Sequence, residues 1–256
     1  ILVFEPKGKD LVPELLPFIV QSDSFFNYAL DTSAGSLSPR TSWKMLKEYE
    51  FPLPPKDEQR RIAEILWAVD EAIIGFQKAS FENDTLKTTA MTHILNDTFA
   101  SNKKVPIDEF KLNREDVLKT GPFGSTLKTS YFSKTGVPII NISALTENGM
   151  DEEGFLHLNS AYKDRFKSYQ VQEGDIVFSR VADVGRCIVI TKKHEGAIIS
   201  SNLIRIRVDK KKILPQFLLS LLKYSSELKR QVLRITATGG RLLVNTKTMS
   251  KLMFPL

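Results

Sequence analysis

Phe51-Pro52-Leu53-Pro54-Pro55-Lys56-Asp57-Glu58-Gln59-Arg60-Arg61-Ile62-Ala63-Glu64-Ile65-Leu66 is the stretch around which the rest of the chain is read. The prolines lack the N–H a ladder needs and close a strand-like segment. Asp57 is then placed to cap a helix, with Glu58 in its first turn opposing the macrodipole. Beyond it Ile62, Leu66, Val69, Ile73 and Phe76 recur at alternating steps of four and three, the period of a seam that packs against another helix. The plainer reading, a stripe that covers its own domain's core, stands beside it. A helix from Asp57 to Thr98 would extend roughly 60 Å, about twice the diameter of a small domain. Gly75 is a weak point. After Phe76 the seam loses phase, because Ser80 and Asn83 take apolar positions while Phe81 and Leu86 fall off it, so a break or stutter is expected. As one rod or two, the segment reads as a spacer.

The chain holds 256 residues, room for one large or two modest domains, and 42% hydrophobic residues suffice for a real core. One cysteine, Cys187, excludes an intrachain disulfide framework and fits a reducing compartment. No apolar run is long enough to span a bilayer, and Ile1-Leu2-Val3-Phe4 is too short for a signal peptide. A soluble, cytoplasmic protein is the expectation. Charge divides unevenly: residues 1–100 carry 10 Lys+Arg against 15 Asp+Glu, and residues 101–256 carry 26 against 15. A surplus of 11 positive charges in the second segment is the footprint of a surface that meets phosphates, or else of a merely lysine-rich domain.

Residues 13–53 and 215–256 share one layout. Pro13-Glu14-Leu15-Leu16 is answered by Pro215-Gln216-Phe217-Leu218, each opening a helical stretch, the first expected to run to Leu30. Ala34-Gly35-Ser36-Leu37 is answered by Thr238-Gly239-Gly240-Arg241-Leu242, and Phe51-Pro52-Leu53 by Phe254-Pro255-Leu256. Landmarks in the same order at one offset indicate two units, each a globular domain followed by a helix, of which this chain is expected to be a fragment or the ordered part.

Between the two copies, Lys103–Lys111 reads as a connection into a strand, and Thr120-Gly121-Pro122-Phe123-Gly124-Ser125 as a turn whose glycines let the backbone approach something closely. Val137–Ile142 reads as a strand, with Pro138 at its start or on an edge. Gly174–Ser179 and Arg186–Thr191 are further strands, and Leu203–Val208 alternates so that Arg205 and Arg207 share a face. The fold class is α+β: a strand-rich domain with closing helices, joined to a long helix of coiled-coil type.

At these residues the sequence resembles the specificity subunit of Type I restriction-modification systems. The resemblance rests on Gly121–Ser125, Gly136-Val137-Pro138-Ile139-Ile140, Gly174-Asp175-Ile176-Val177-Phe178-Ser179-Arg180, Val184-Gly185-Arg186, and Phe51–Pro55 running into Glu58–Leu66. It implies two target-recognition domains, each reading half of a split DNA sequence, held apart by long helices that pack antiparallel as a ruler. Residues 1–53 would be the end of the first such domain, 54–100 the spacer helix and 101–256 the second domain. The family departs from this chain in having a second helix to meet the seam of Ile62, Leu66, Val69, Ile73 and Phe76, so self-association through the long helix is left open.

The DNA-binding candidates lie on the loops the family uses. Ser125, Thr126 and Lys128 follow the glycine turn, Ser179, Arg180 and Arg186 flank the next one, Ser200, Ser201 and Asn202 precede a strand, and Arg241 follows a glycine pair. Asn and Arg suit bidentate reading of adenine and guanine, although any one of these residues could equally be a loop cap or a solvated side chain. The resemblance further implies a non-catalytic chain without cofactor, double-stranded DNA and a methyltransferase subunit carrying S-adenosylmethionine as partners, and a motor-endonuclease subunit for cleavage. No Walker loop, dinucleotide fingerprint or Asn/Asp-Pro-Pro-aromatic segment occurs, and His93, His157 and His194 lack metal-ligand spacing. Glu147, Asp151, Glu152 and Glu153 read as a solvated turn rather than a nuclease's metal ligands. Three alternatives are carried: the specificity part of a fused restriction-modification enzyme, a DNA nuclease, and a helical adaptor in which the basic domain is incidental.

Overall fold

A computed structural model describes residues 3–6, 8–35, 40–113, 115–124, 126–146, 149–153, 155–236 and 243–256. It divides into two compact units, Ile1–Asp84 and Thr85–Leu256.

In the first unit, α1 (Leu16–Val20) follows a 3-10 turn at Pro13–Leu15, and α2 (Asp23–Asp31) and α3 (Trp43–Leu46) come after it. The single helix expected over residues 13–30 is therefore split. The Ser22 hydroxyl accepts from the Phe25 N–H and caps α2, so the chain turns at Gln21–Ser22 instead of continuing. An aromatic cluster fills the space between these short helices: Phe4 meets Phe25 and Trp43 edge-on, and Tyr49 meets Phe25 and stacks on Phe51.

The long helix, α4 (Lys56–Ser101), is unbroken through Gly75, Ser80 and Asn83, which corrects the expected interruption. A glycine costs a helix only about 1 kcal/mol, too little to open a ladder of this length. Asp57 does not cap it. The helix begins one residue earlier, with the Pro55 carbonyl accepting from Gln59, and Asp57 and Glu58 both lie within the first turn. Gln59 is buried and ties the helix start to its unit: Oε1 accepts from the Val12 N–H at 2.8 Å, while Nε2 donates to the carbonyls of Asp10 at 2.9 Å and Pro54 at 2.7 Å. Ile62 and Leu66 are half-buried, whereas Val69, Ile73 and Phe76 stand exposed, Phe76 at 78%.

Within the second unit, β1 (Lys104–Pro106) leads to β2 (Leu118–Thr120), β3 (Phe132–Ser133), β4 (Val137–Ile140), β5 (Leu145–Thr146), β6 (Gly149–Met150) and β7 (Leu156–Leu158). There follow β8 (Ile176–Ser179), β9 (Cys187–Val189), β10 (Ile198–Ile199), β11 (Leu203–Ile206), α5 (Pro215–Tyr224), α6 (Ser226–Thr236), α7 (Thr246–Met249) and β12 (Met253–Pro255). The segment at Lys103–Lys111 is thus itself a strand plus a 3-10 turn, and β1 pairs antiparallel with β12.

Two four-stranded sheets form the body, one ordered β2-β11-β8-β9 and the other β10-β4-β7-β3. Strand alternation sorts the first sheet's side chains into two layers. Ile176, Phe178, Ile204 and Ile206 join Leu218, Leu221, Leu228 and Phe254 in one core, while Val177, Ile188 and Leu203 join Ile140 and Ile199 of the second sheet in another. A third cluster, with Ile139, Ile198 and Phe166, covers the second sheet's other face. Pro138 sits in β4, an interior strand rather than an edge. It is tolerated because pairing with β10 begins only at Ile139, leaving Pro138 opposite His157 alone. Near its end α4 joins this unit through buried Leu95 and Phe99, with Thr92 Oγ1 donating to the Tyr224 carbonyl at 3.1 Å and Asn96 bonding Ser226.

The repeated layout is visible inside each unit. α1–α2 and α5–α6 are both helix pairs, and Ser22 and Ser225 at the two junctions each accept from the N–H three residues on, at 3.2 and 3.4 Å. α3 and α7 occupy the same place before the Phe-Pro-Leu segment. The glycine landmarks at Ser36, Leu37 and Thr238–Leu242 lie outside the described residues. Among the described residues no helix is long and apolar enough to cross a membrane.

Candidate nucleic-acid interface

Four segments meet at one end of the β2-β11-β8-β9 sheet. β2 is followed by Gly121, whose N–H donates to the Leu203 carbonyl at 3.2 Å, and a Cβ added there would lie 2.1 Å from the Ser200 carbonyl oxygen. Only a glycine allows that approach. The Arg180 N–H donates to the Asn202 carbonyl at 3.0 Å, joining the end of β8 to the Ser200–Asn202 turn. The Val244 N–H donates to the Arg180 carbonyl at 2.9 Å, and Val181 bridges Leu243, adding the segment before α7.

The side chains on these segments divide into holders and presenters. Ser179 is fully buried and its hydroxyl donates to the Asp183 carbonyl, closing the turn that contains Ala182 at φ 58° and Gly185 at φ 108°. The Arg180 guanidinium is buried, donating from Nε to the Val244 carbonyl at 2.9 Å and from Nη1 to the Ser201 carbonyl at 3.1 Å. Burial pulls its pKa below the usual arginine value. Arg186 ion-pairs with Asp183 and donates to the Leu145 carbonyl at 2.7 Å. These three polar heads are occupied within the fold. Asn202 is exposed, Ser200 and Ser201 are half-buried, and the Ser200 hydroxyl has no partner among the described residues.

Thr126 and Lys128 lie on the following turn, closed by the Thr126 and Leu127 N–H groups on the Phe123 carbonyl, with Lys128 exposed and Thr126 half-buried. Ser125 and Arg241 lie outside the described residues. Phe123, 59% exposed beside Gly121, and Leu243, 42% exposed beside Val181, were not singled out from sequence. An aromatic between two glycines was a signal for the first; nothing in the sequence marked the second.

Arg205 and Arg207 share a face as the alternation predicts, but that face is inside. Arg207 forks onto Asp175 at 2.8 and 2.7 Å and reaches Glu115 at 3.2 Å. Burial lowers the Arg207 pKa, but the bonds to Asp175 and Glu115 outweigh it and the net shift is upward. The acidic turn is solvated: Glu152 ion-pairs with Lys193 and with His194, and those hydrogen bonds hold its carboxyl below the ordinary value. Glu147 lies outside the described residues, within which no three His, Cys, Asp or Glu side chains are grouped to hold a metal ion.

Residues 1–82 and 109–256, on either side of the later part of α4, match the Type I restriction modification DNA specificity domain. The chain belongs to that family. The family description falls on both copies of the internal repeat and on every segment of the loop cluster. The MjaIX specificity subunit of a type I restriction enzyme from Methanocaldococcus jannaschii is 25% identical over 186 residues, which cover 66% of this chain and 42% of that protein. A chain from a structure of the type I R-M system, solved to address complex assembly and conformational transition, superposes with TM-score 0.60 at 20% identity, covering 97% of this chain and 60% of its own. The Type-I restriction-modification system S subunit from M. genitalium does so with TM-score 0.51 at 17% identity, covering 93% and 62%. Both likenesses establish the α+β fold of specificity-domain chains. The chain spans less than two thirds of the length of each of these relatives.

Proposed function

We propose that this chain is a non-catalytic, sequence-reading DNA-specificity subunit of a Type I restriction-modification assembly, acting in the cytoplasm. The observation that carries the reading is the convergence of Gly121–Phe123, Ser179–Arg186, Ser200–Asn202 and Leu243–Asn245 at one sheet end, within residues that match a DNA specificity domain. Residues 101–256 are the recognition domain in this reading, 54–100 the spacer helix, and 1–53 the closing part of a preceding domain. Arg180, Ser179 and Arg186 act by holding loops in place. Asn202, Ser201, Ser200, Thr126 and Lys128 face the duplex, with the lysine meeting phosphate and the amide a base edge, and Ser125 and Arg241 remain DNA-binding candidates from the sequence alone. The methyltransferase subunit binds S-adenosylmethionine and performs the chemistry, a motor-endonuclease subunit cleaves, and the exposed Val69, Ile73 and Phe76 of the seam take a helical partner, a second copy included.

The test is selection from random duplexes by the purified chain, alone and with the methyltransferase subunit, followed by sequencing. A short fixed motif that becomes a split motif with the partner present supports the reading. Asn202→Ala should then relax one position of that motif and weaken binding by about 5- to 100-fold, in line with the worth of one bidentate base contact. Retention of all sequences equally by the complex would overturn the proposal.

A further inference from the structure

Phe123, in the turn after β2, is 59% exposed. A lone apolar side chain in water is ordinary on a protein surface and by itself asks for nothing. What sets this one apart is the backbone beneath it. Gly121 is buried and bonded to the Leu203 carbonyl, with no room for a Cβ against Ser200. Pro122 is buried, and its ring fixes φ. The Phe123 carbonyl accepts from the N–H groups of Thr126 at 2.8 Å and Leu127 at 3.0 Å. The turn is therefore anchored on both sides of Phe123. Leu127, its other large apolar residue, packs with Tyr131 and Phe132 against the core around Ile139 and Phe166, while Phe123 is left out in water.

The contact of Gly121 with Ser200 sets this turn beside the Ser200–Asn202 turn. Residues 121–128 and 200–202 carry no acidic side chain, and Lys128 is their single charge, so a polyanion meets no repulsion from them. The ring is thus a fixed apolar group next to short groups that donate and accept hydrogen bonds. In its major groove an unmodified duplex offers one apolar group, the thymine C5-methyl, beside the thymine O4 acceptor and the N6 donor of the paired adenine. A pinned aromatic flanked by hydroxyls and an amide matches that edge. The other use of an apolar side chain on DNA is as a wedge between base steps from the minor groove. Asn202 suits the N6–N7 edge of adenine, which only the major groove presents, and so favours the methyl contact over the wedge.

We infer that Phe123 is a specificity-determining residue that packs on the C5-methyl group of a thymine in the DNA target, an inference that rests on the DNA-reading function proposed above. The experiment takes the duplex selected by the chain together with the methyltransferase subunit and replaces each of its thymines in turn by uracil, which lacks only the methyl. Binding is measured for the wild-type, Phe123→Ala and Phe123→Leu complexes. The wild type is expected to lose about four-fold in affinity at one thymine, the worth of one buried methyl. Phe123→Ala should lose that discrimination at an unchanged melting temperature, and Phe123→Leu, which keeps an apolar contact, should retain it. A selected motif without an A·T pair, uracil tolerated at every position by the wild type, or an undiminished thymine preference in Phe123→Ala would overturn the role. An undiminished preference together with a straighter duplex in Phe123→Ala, read by end-to-end energy transfer, would assign the wedge instead. Those outcomes leave the DNA-reading function standing, whereas retention of all sequences equally by the wild-type complex overturns that function and this role together.

Discussion

Gly121 shows how one missing Cβ organises a surface. Its neighbour across the gap is the Ser200 backbone, which has no flexible end to move aside, so Gly121→Ala should cost about 1–3 kcal/mol through overpacking. Denaturant unfolding measures the cost, and weaker duplex binding should accompany it. Gly124 in the same turn meets nothing within 4 Å, so Gly124→Ala is the neutral control. The close approach was legible in the glycine-rich spelling; what approaches was not, because Ser200 lies 79 residues away and only the sheet brings it near. Arginine roles were the least legible. A guanidinium can be recognised in sequence as five donors, but whether they meet phosphates or carbonyls depends on the strand face, and Arg180, Arg205 and Arg207 all point into the fold.

On the scale of elements, α4 carries both the success and the failure of periodicity. Its apolar spacing identified a helix, because a period of three and four depends only on local geometry. The expected break came from treating glycine and phase loss as interruptions, whereas helix cooperativity across 46 residues absorbs both. Gly75 lies in the exposed interior of α4, and a Cβ there meets nothing within 4 Å. Gly75→Ala should therefore stabilise the helix by about 0.5–1 kcal/mol, read as an upward shift of the melting midpoint followed by circular dichroism at 222 nm. The split of residues 13–30 was missed for a related reason. Ser22 caps α2 with its hydroxyl, a start signal that the apolar spacing of the run does not show.

For the whole molecule, the uneven charge is the feature with a measurable consequence. An acidic stretch of residues 1–100 and a basic remainder predict duplex affinity that falls steeply with salt. If at least four phosphates are neutralised, log K should drop with log salt at a slope of about −3.6 or steeper. A flat dependence would set the basic surplus aside as incidental. The internal repeat was the part of the architecture most open to reading, since prolines and serines at fixed offsets mark where helices begin whatever packs around them. The two stacked sheets were less so, because their strands are two to four residues long and several pair with partners far away in sequence.

The pairing of β1 with β12 sets Lys104 opposite Pro255, and the Leu256 N–H reaches the Lys103 carbonyl at 2.8 Å. Residues 103–106 and 253–256 therefore lie side by side on this body, like the two prongs of a plug. Residues 107–252 are closed off by that short ladder, with the end of α4 packed against them through Leu95 and Phe99. A differently shaped set of loops could be fitted between β1 and β12 while that ladder kept its pairing.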